Sequence, residues 1–297
     1  MLDNLSCCTV CPHMCKVNRL ENKVGRCSCN DKIKVALVSL HMFEEPCITG
    51  KNGSGTVFFS HCNLNCVYCQ NYEISQLRKG KEISIQELAD IFIQQQNKGA
   101  ENINLVTPTM YVYQIIEAIK IAKANGLKIP IIYNSNGYEN VDTIKTLNGF
   151  IDVYLPDLKY SDNNLAKEYS NINNYFEVAT NAILEMYYQV GLPQFGENGL
   201  IKKGVLIRHL ILPNHINNSK NVLNWIKNSL PNDVYVSIMA QYFPTYKAQN
   251  YALLNRKISY HELEEIKDYL SDLGIHNGYI QELGLHEEEY IPKFEIN

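Results

Sequence analysis

No cysteine occurs after position 69. All ten lie between Cys7 and Cys69, so thiol chemistry is confined to the first quarter of the chain and the remainder must supply scaffold and substrate binding. The opening residues, MLDNLSCC, lack a basic stretch followed by an apolar run. That argues against export, and with it against a disulfide framework, so reduced thiols in a cytoplasmic setting are expected. No apolar run approaches the length of a membrane span, and no membrane partner is expected. Neither sign of charge dominates: a net charge of -4 and a pI near 6.1 leave no electrostatic footprint for nucleic acid. Internal repeats and low-complexity linkers are missing too, and the Asn-rich stretches NINNYF and NHINN read as polar loops. What remains is an ordinary globular composition, 45% hydrophobic and 20% charged over 297 residues, enough for one large core or two domains.

Beyond residue 55 strand-like and helix-like segments alternate. TVFFS, a short run of β-branched and aromatic residues, delivers the chain into a cysteine loop. SIQELADIFIQQQNKG follows as an amphipathic helix, with Ser84 and Glu87 forming a capping-box pattern and Gly99 at its stop. NINLVT precedes a helix expected from about Thr109 to Asn125, PIIYNS one near residues 139–147, and FIDVYLP helical segments between about 162 and 190. VLIRHLIL, a helix around 219–229, VYVSIMA and a helix opened by Ser259 and Glu262 complete the series. Such alternation argues for a parallel α/β architecture, barrel-like or doubly wound. Polar residues recur at the carboxyl ends of the strands, at Thr107, Asn134, Asp157, Arg208 and Gln241. Both architectures gather their ligands there.

The cysteine loop, HCNLNCVYCQN, has the spacing Cys62-x3-Cys66-x2-Cys69. A structural zinc site wants four ligands, whereas a site that must bind a reactant keeps a position open. A [4Fe-4S] cluster held by three thiolates leaves one iron able to chelate a small molecule. The alternative is a zinc or ferredoxin-type site completed by a distant residue such as His61 or Cys47. Further upstream, Cys8-x2-Cys11-x3-Cys15-x11-Cys27, with Gly25 making room for a turn, is compatible with one closed metal site, zinc or an auxiliary iron-sulfur cluster. Cys7 and Cys29 are possible substitutes in that set, as are His13 and His41. A region with so few apolar residues would gain its order from the metal.

The triplet, with the aromatic Tyr68 just before its last cysteine and a strand just before its first, resembles the radical S-adenosylmethionine superfamily. More narrowly, the blocks EEPCITGKNGSGTVFFSHCNLNCVYCQNYEIS, NINLVTPTMY, YNSNGYE, DVYLPDLKY, IRHLILPNH and MAQYFPTY are similar to those of pyruvate formate-lyase activating enzyme-like proteins. The resemblance implies an α/β fold: a partial (β/α)6 barrel over residues 55–297, with a small Cys-rich metal-binding module over residues 1–54. It implies an oxidoreductase whose [4Fe-4S] cluster, on Cys62, Cys66 and Cys69, binds the amino and carboxylate groups of S-adenosylmethionine. One electron from a low-potential donor of flavodoxin or ferredoxin type then yields methionine and a 5'-deoxyadenosyl radical that abstracts hydrogen from a substrate. Tyr68 matches the aromatic near the adenine, and Asn134 and Ser135 match positions near methionine or ribose. Asp157 and Lys159 match the Asp-Leu-Lys block, with Lys159 set to pair with the methionine carboxylate. Many relatives carry Gly-Gly-Glu-Pro after the second strand. Here the block is Val106-Thr107-Pro108-Thr109, so that contact would fall to Thr107, Thr109 or backbone carbonyls. Of the adjacent Arg208 and His209 only one can face inward, and Arg208 suits a carboxylate. The substrate is expected to be a glycyl-radical enzyme or another protein or peptide. The alternatives are a small metabolite, or no catalysis at all in an iron-sulfur or zinc protein.

Overall fold

The computed structural model describes residues 1–284 and Phe294. Among these residues ten strands form one sheet: β1 (Ile33–His41), β2 (Ser54–Phe59), β3 (Lys81–Ile83), β4 (Ile103–Val106), β5 (Ile131–Ser135), β6 (Val153–Pro156), β7 (Gln194–Phe195), β8 (Ile201–Leu210), β9 (Tyr235–Met239) and β10 (Gly278–Ile280). Their order is β10-β9-β8-β6-β5-β4-β2-β1-β3, with β7 pairing β8 to the side. From β2 to β10 every neighbour along this path is parallel, whereas β1 and β3 are antiparallel additions at one edge. The six strands anticipated from the sequence are therefore the parallel core, with β10 a seventh, short parallel strand.

The connecting helices form where the apolar spacing and caps direct them. In the helix Ile85–Asn97 the Ser84 side chain accepts from Glu87 N–H while the Glu87 carboxylate accepts from Ser84 N–H, and Ser259 and Glu262 do the same for Tyr260–Asp272. Val112–Ala124, Val141–Thr146, Asn163–Ser170, Tyr175–Val190 and Ile216–Ser229 fill the other crossovers. The last begins a turn earlier than its apolar pattern suggests. Successive strand residues face opposite ways. In β5, Ile131 and Tyr133 pack with the helices, while Ile132 packs inward with Val153, Leu155 and Leu206. Cys47 and Ile48 of the short helix Pro46–Thr49 join this inner layer. Ile48 C=O there accepts from Asn102, just before β4, so this helix plugs the amino ends of the strands.

β1 is the main departure from the sequence reading. It belongs to the sheet, so a boundary at residue 54 cuts through an antiparallel pair running from Val35↔Phe59 to His41↔Ser54. Its partner β2 is buried at every position, as befits an interior strand covered on both sides. β3 and β10, the two ends of the strand order, are not paired to each other. The sheet is an incomplete barrel whose carboxyl ends surround one cavity.

Candidate active site

A cavity of about 510 Å³ opens at the carboxyl ends of the strands. Cys62, Cys66 and Cys69 border it, and no other cysteine does. The loop that carries them is fastened at several points. Asn63, fully buried, donates to Tyr138 C=O at 2.7 Å and accepts from Asn136 at 2.7 Å. Asn65 and Val67 N–H donate to the carbonyls of Ser170 and Tyr169. Each sulfur has a polar neighbour: Asn136 Nδ2 donates to Cys62 Sγ at 3.3 Å, Ser170 Oγ to Cys66 Sγ at 2.9 Å, and Ser75 Oγ lies 3.2 Å from Cys69 Sγ. Burial pushes all three thiols up, Cys66 to about 11. Alone they stay protonated, and a positive centre is needed to hold them as thiolates. Three soft donors with hydrogen-bonded sulfurs, facing one ligand-sized cavity, fit a [4Fe-4S] cluster. Neither proposed fourth ligand reaches in. His61 donates from Nδ1 to Cys27 C=O at 2.9 Å, and Cys47 lies in the inner layer below.

Tyr68, Thr107, Asn134, Ser135, Asp157, Lys159 and Arg208 all line the cavity. Tyr68 is buried with its hydroxyl 2.6 Å from that of Tyr160, so the ring is fixed in place. Lys159 pairs through Nζ with Asp157. Burial by itself would lower the ammonium; Asp157 and the nearby Cys66 and Cys69 sulfurs reverse that, and its pKa is raised. Thr107 takes φ +58°, the left-handed region that a β-branched residue rarely enters. Gly137 is required by close approach: at φ +79°, a Cβ there would stand 2.1 Å from Asp157 C=O.

Thr109 is not at the cavity. The 3-10 turn Thr109–Tyr111 carries it into the interior, where Oγ1 donates to Glu139 Oε1 at 2.6 Å. Burial lifts the Glu139 carboxyl to about 7. Arg208 faces the cavity but already holds the chain's own carboxylates, with Nε donating to Glu45 at 2.9 Å and Nη2 paired with Glu44 and Glu45. Sequence reasoning missed these two acids, whose only signal was the doublet before Pro46. Burial pushes Glu45 up, but Arg208 outweighs it and leaves the carboxyl below its ordinary value. His209 points away, buried between Leu158 C=O and Ser219, and burial lowers it to about 4.

Cys8, Cys11, Cys15 and Cys27 meet at a second, small pocket together with Arg19 and Gly25. Cys7 is exposed, and Cys29 turns its thiol toward the Tyr111 hydroxyl, 3.6 Å away. A hydrogen bond from the Cys29 thiol brings Cys27 down to about 6, while burial lifts Cys11 to about 12. Among the described residues no group of three or more His, Cys, Asp or Glu side chains is arranged to hold a single metal ion. Nor is any helix among them long and apolar enough to cross a membrane.

Comparison with known proteins agrees with this geometry. The family model described as Radical SAM superfamily matches residues 56–196, from β2 through β7. Uncharacterized protein MJ0674 of Methanocaldococcus jannaschii is 35% identical over 272 residues, which cover 87% of this chain and 72% of that one. Among solved structures, Streptococcus suis SuiB bound to precursor peptide SuiA is similar at a TM-score of 0.51 and 16% identity, over 76% of this chain and 48% of that one. The FeFe-hydrogenase maturase HydG from Carboxydothermus hydrogenoformans is similar at 0.52 and 15% identity, over 78% and 54%. At such identities the likeness is one of fold, and this chain spans about half the length of either structure. The incomplete parallel barrel, the triplet at its carboxyl end and the family match over residues 56–196 identify the chain as a member of the radical SAM superfamily.

Proposed function

We propose that this chain is a radical S-adenosylmethionine oxidoreductase of the pyruvate formate-lyase activating enzyme-like type, acting on a glycyl-radical enzyme or another protein or peptide in the cytoplasm. The observation that carries the reading is the convergence of three thiols, and no fourth, on a cavity at the strand carboxyl ends. Cys62, Cys66 and Cys69 would hold a [4Fe-4S] cluster that, supplied with an electron by a flavodoxin- or ferredoxin-type donor, would cleave bound S-adenosylmethionine reductively and so allow hydrogen to be taken from the substrate. The chain's own groups bind and orient. Lys159, beside Cys66 and Cys69, offers an ammonium to the methionine carboxylate, and Asp157 holds that ammonium in place. Thr107, Asn134 and Ser135 present hydroxyl and amide groups for the amino acid and ribose portions, and Tyr68 an aromatic edge for the adenine. Arg208 with Glu44 and Glu45 forms a charged wall rather than a binding hand.

A protein or peptide substrate is supported by the rim. Met42 and Ile280 border the cavity and are 48% and 40% exposed, an apolar lip suited to the side chains of a peptide. SuiB, whose fold is similar, is bound to a precursor peptide in its structure. Anaerobic reconstitution followed by dithionite should yield 5'-deoxyadenosine, and Cys62→Ala, Cys66→Ala or Cys69→Ala should each reduce it to background. Cleavage by a protein lacking all three would refute the assignment.

A further inference from the structure

The N-terminal pocket contains a charge that no carboxylate described there answers. Arg19 is 1% exposed. Its Nε and Nη2 donate to Asn30 C=O at 2.9 and 2.6 Å, and Nη1 donates to Met110 C=O at 2.8 Å and points at Cys8 Sγ, 3.9 Å away. Among the described residues no carboxylate pairs with it. A guanidinium cannot shed its proton, and a buried one without a counter-charge is strongly disfavoured. The groups around it that can become anionic are thiols: Cys8, Cys11, Cys15 and Cys27 share the pocket with it. The backbone is shaped to admit all four. A Cβ on Gly25 would stand 2.6 Å from Cys15 Sγ, so only glycine lets that sulfur in.

We infer that Cys8, Cys11, Cys15 and Cys27, which as they stand do not surround a single ion, close on a second, thiolate-bound metal centre whose negative charge Arg19 balances, and that this centre clamps the loop bearing Cys62. Four thiolates around a zinc ion or around an iron-sulfur cube leave about two net negative charges in either case. That is the counter-charge Arg19 lacks. The clamp follows from two ring hydrogen bonds. A carbonyl only accepts, so His61 Nδ1 donates to Cys27 C=O at 2.9 Å and His13 Nε2 donates to Asn63 C=O at 2.8 Å. These bonds grip the residues on either side of Cys62.

The test uses the full chain with Cys62, Cys66 and Cys69 replaced by Ser, so that metal at the triplet contributes nothing and a failure of the proposed function leaves this result readable. After anaerobic reconstitution with iron and sulfide, or with zinc, elemental analysis should find either about one zinc or about four iron per chain. Zinc identifies a single ion and iron a cube. Further replacement of Cys8, Cys11, Cys15 and Cys27 by Ser should remove that metal and speed amide exchange across residues 61–65. Because the sevenfold variant can fail to fold, Arg19→Met and Arg19→Lys in the triplet-free chain give a second measure. Competition with EDTA should show metal held about tenfold more weakly in Arg19→Met and held as in the parent in Arg19→Lys. No metal above background in the triplet-free chain would overturn the centre, as would metal that persists without the four cysteines. Equal affinity in Arg19→Met would overturn its charge balance, and unchanged exchange at residues 61–65 would overturn the clamp.

Discussion

Arg19 and Arg208 are both withdrawn from water, and they keep opposite company. Arg208, at the strand-end cavity, holds two carboxylates from the loop after β1. Arg19, in the N-terminal pocket, holds only carbonyls among the described residues and faces sulfur. The cavity wall is therefore electrostatically settled by the chain itself, so a ligand entering there has no need to neutralise Arg208. The N-terminal pocket is unfinished without its thiolates. Glu139 shows a third outcome. A buried carboxyl with no cation beside it among the described residues can take up a proton, and its rise to about 7 reflects that. An arginine has no such escape.

The largest expected effect comes from breaking the settled side. Arg208→Ala leaves Glu44 and Glu45 uncompensated and should cost about 3–5 kcal/mol of stability, or a melting temperature lower by about 10 °C. It should also reverse a pH dependence. In the parent, Glu45 titrates below its ordinary value, so its contribution is present above the unfolded pKa and is lost as pH falls. Without Arg208, burial opposes only the hydrogen bonds from Ser237 and its own backbone, so its pKa rises and acidification should stabilise the variant. Urea unfolding across the acid range reads both effects, and an unchanged midpoint would show that the three side chains are independent.

Glu139 sharpens the comparison next. Its folded pKa is raised from 4.5 to about 7. Its contribution is complete below the unfolded value and is lost as pH rises through the folded one, by roughly 3 kcal/mol in all. Glu139→Gln should flatten that decline between about pH 4 and about pH 8. A slope equal to the parent's would place the titrating group elsewhere.

Lys159→Ala tests whether the cavity's other cation is as fully committed as Arg208. Loss of one charge-assisted contact should weaken S-adenosylmethionine binding by about 1.5–3 kcal/mol, roughly ten- to a hundred-fold, with iron content unchanged. An anaerobic titration followed by the cluster spectrum measures both. Parent-like affinity would mean that Asp157 absorbs the whole of the ammonium.

Much of this was legible in the sequence because the signals are local. The capping boxes at Ser84 and Ser259 name their own helices, and Cys62, Cys66 and Cys69 are bound to meet within one short loop. Strand-end positions repeat with the βα unit, which is why Thr107, Asn134, Asp157, Arg208 and Gln241 all reach the cavity. What escaped depends on distant partners. Glu44 meets Arg208 across 164 positions, and nothing near either residue announces the other. β1 pairs backwards onto a sheet whose remaining logic is parallel, so the alternation that reveals β2 onward is silent about it. Thr109 was misplaced by one turn of 3-10 helix, a short-range detail decided by Glu139 thirty residues away.

Thr107 carries a consequence for how its position can change. An L-residue held at φ +58° keeps its backbone in the mirror-image half of conformational space, at a cost of about 1–3 kcal/mol. Glycine would relieve that cost in the folded state, yet it also loosens the unfolded chain, and the two terms largely cancel. Exchange between threonine and glycine there is nearly free of thermodynamic penalty. The identity of this side chain at the lip of the cavity can therefore be set by whatever molecule it touches, independently of the demands of folding.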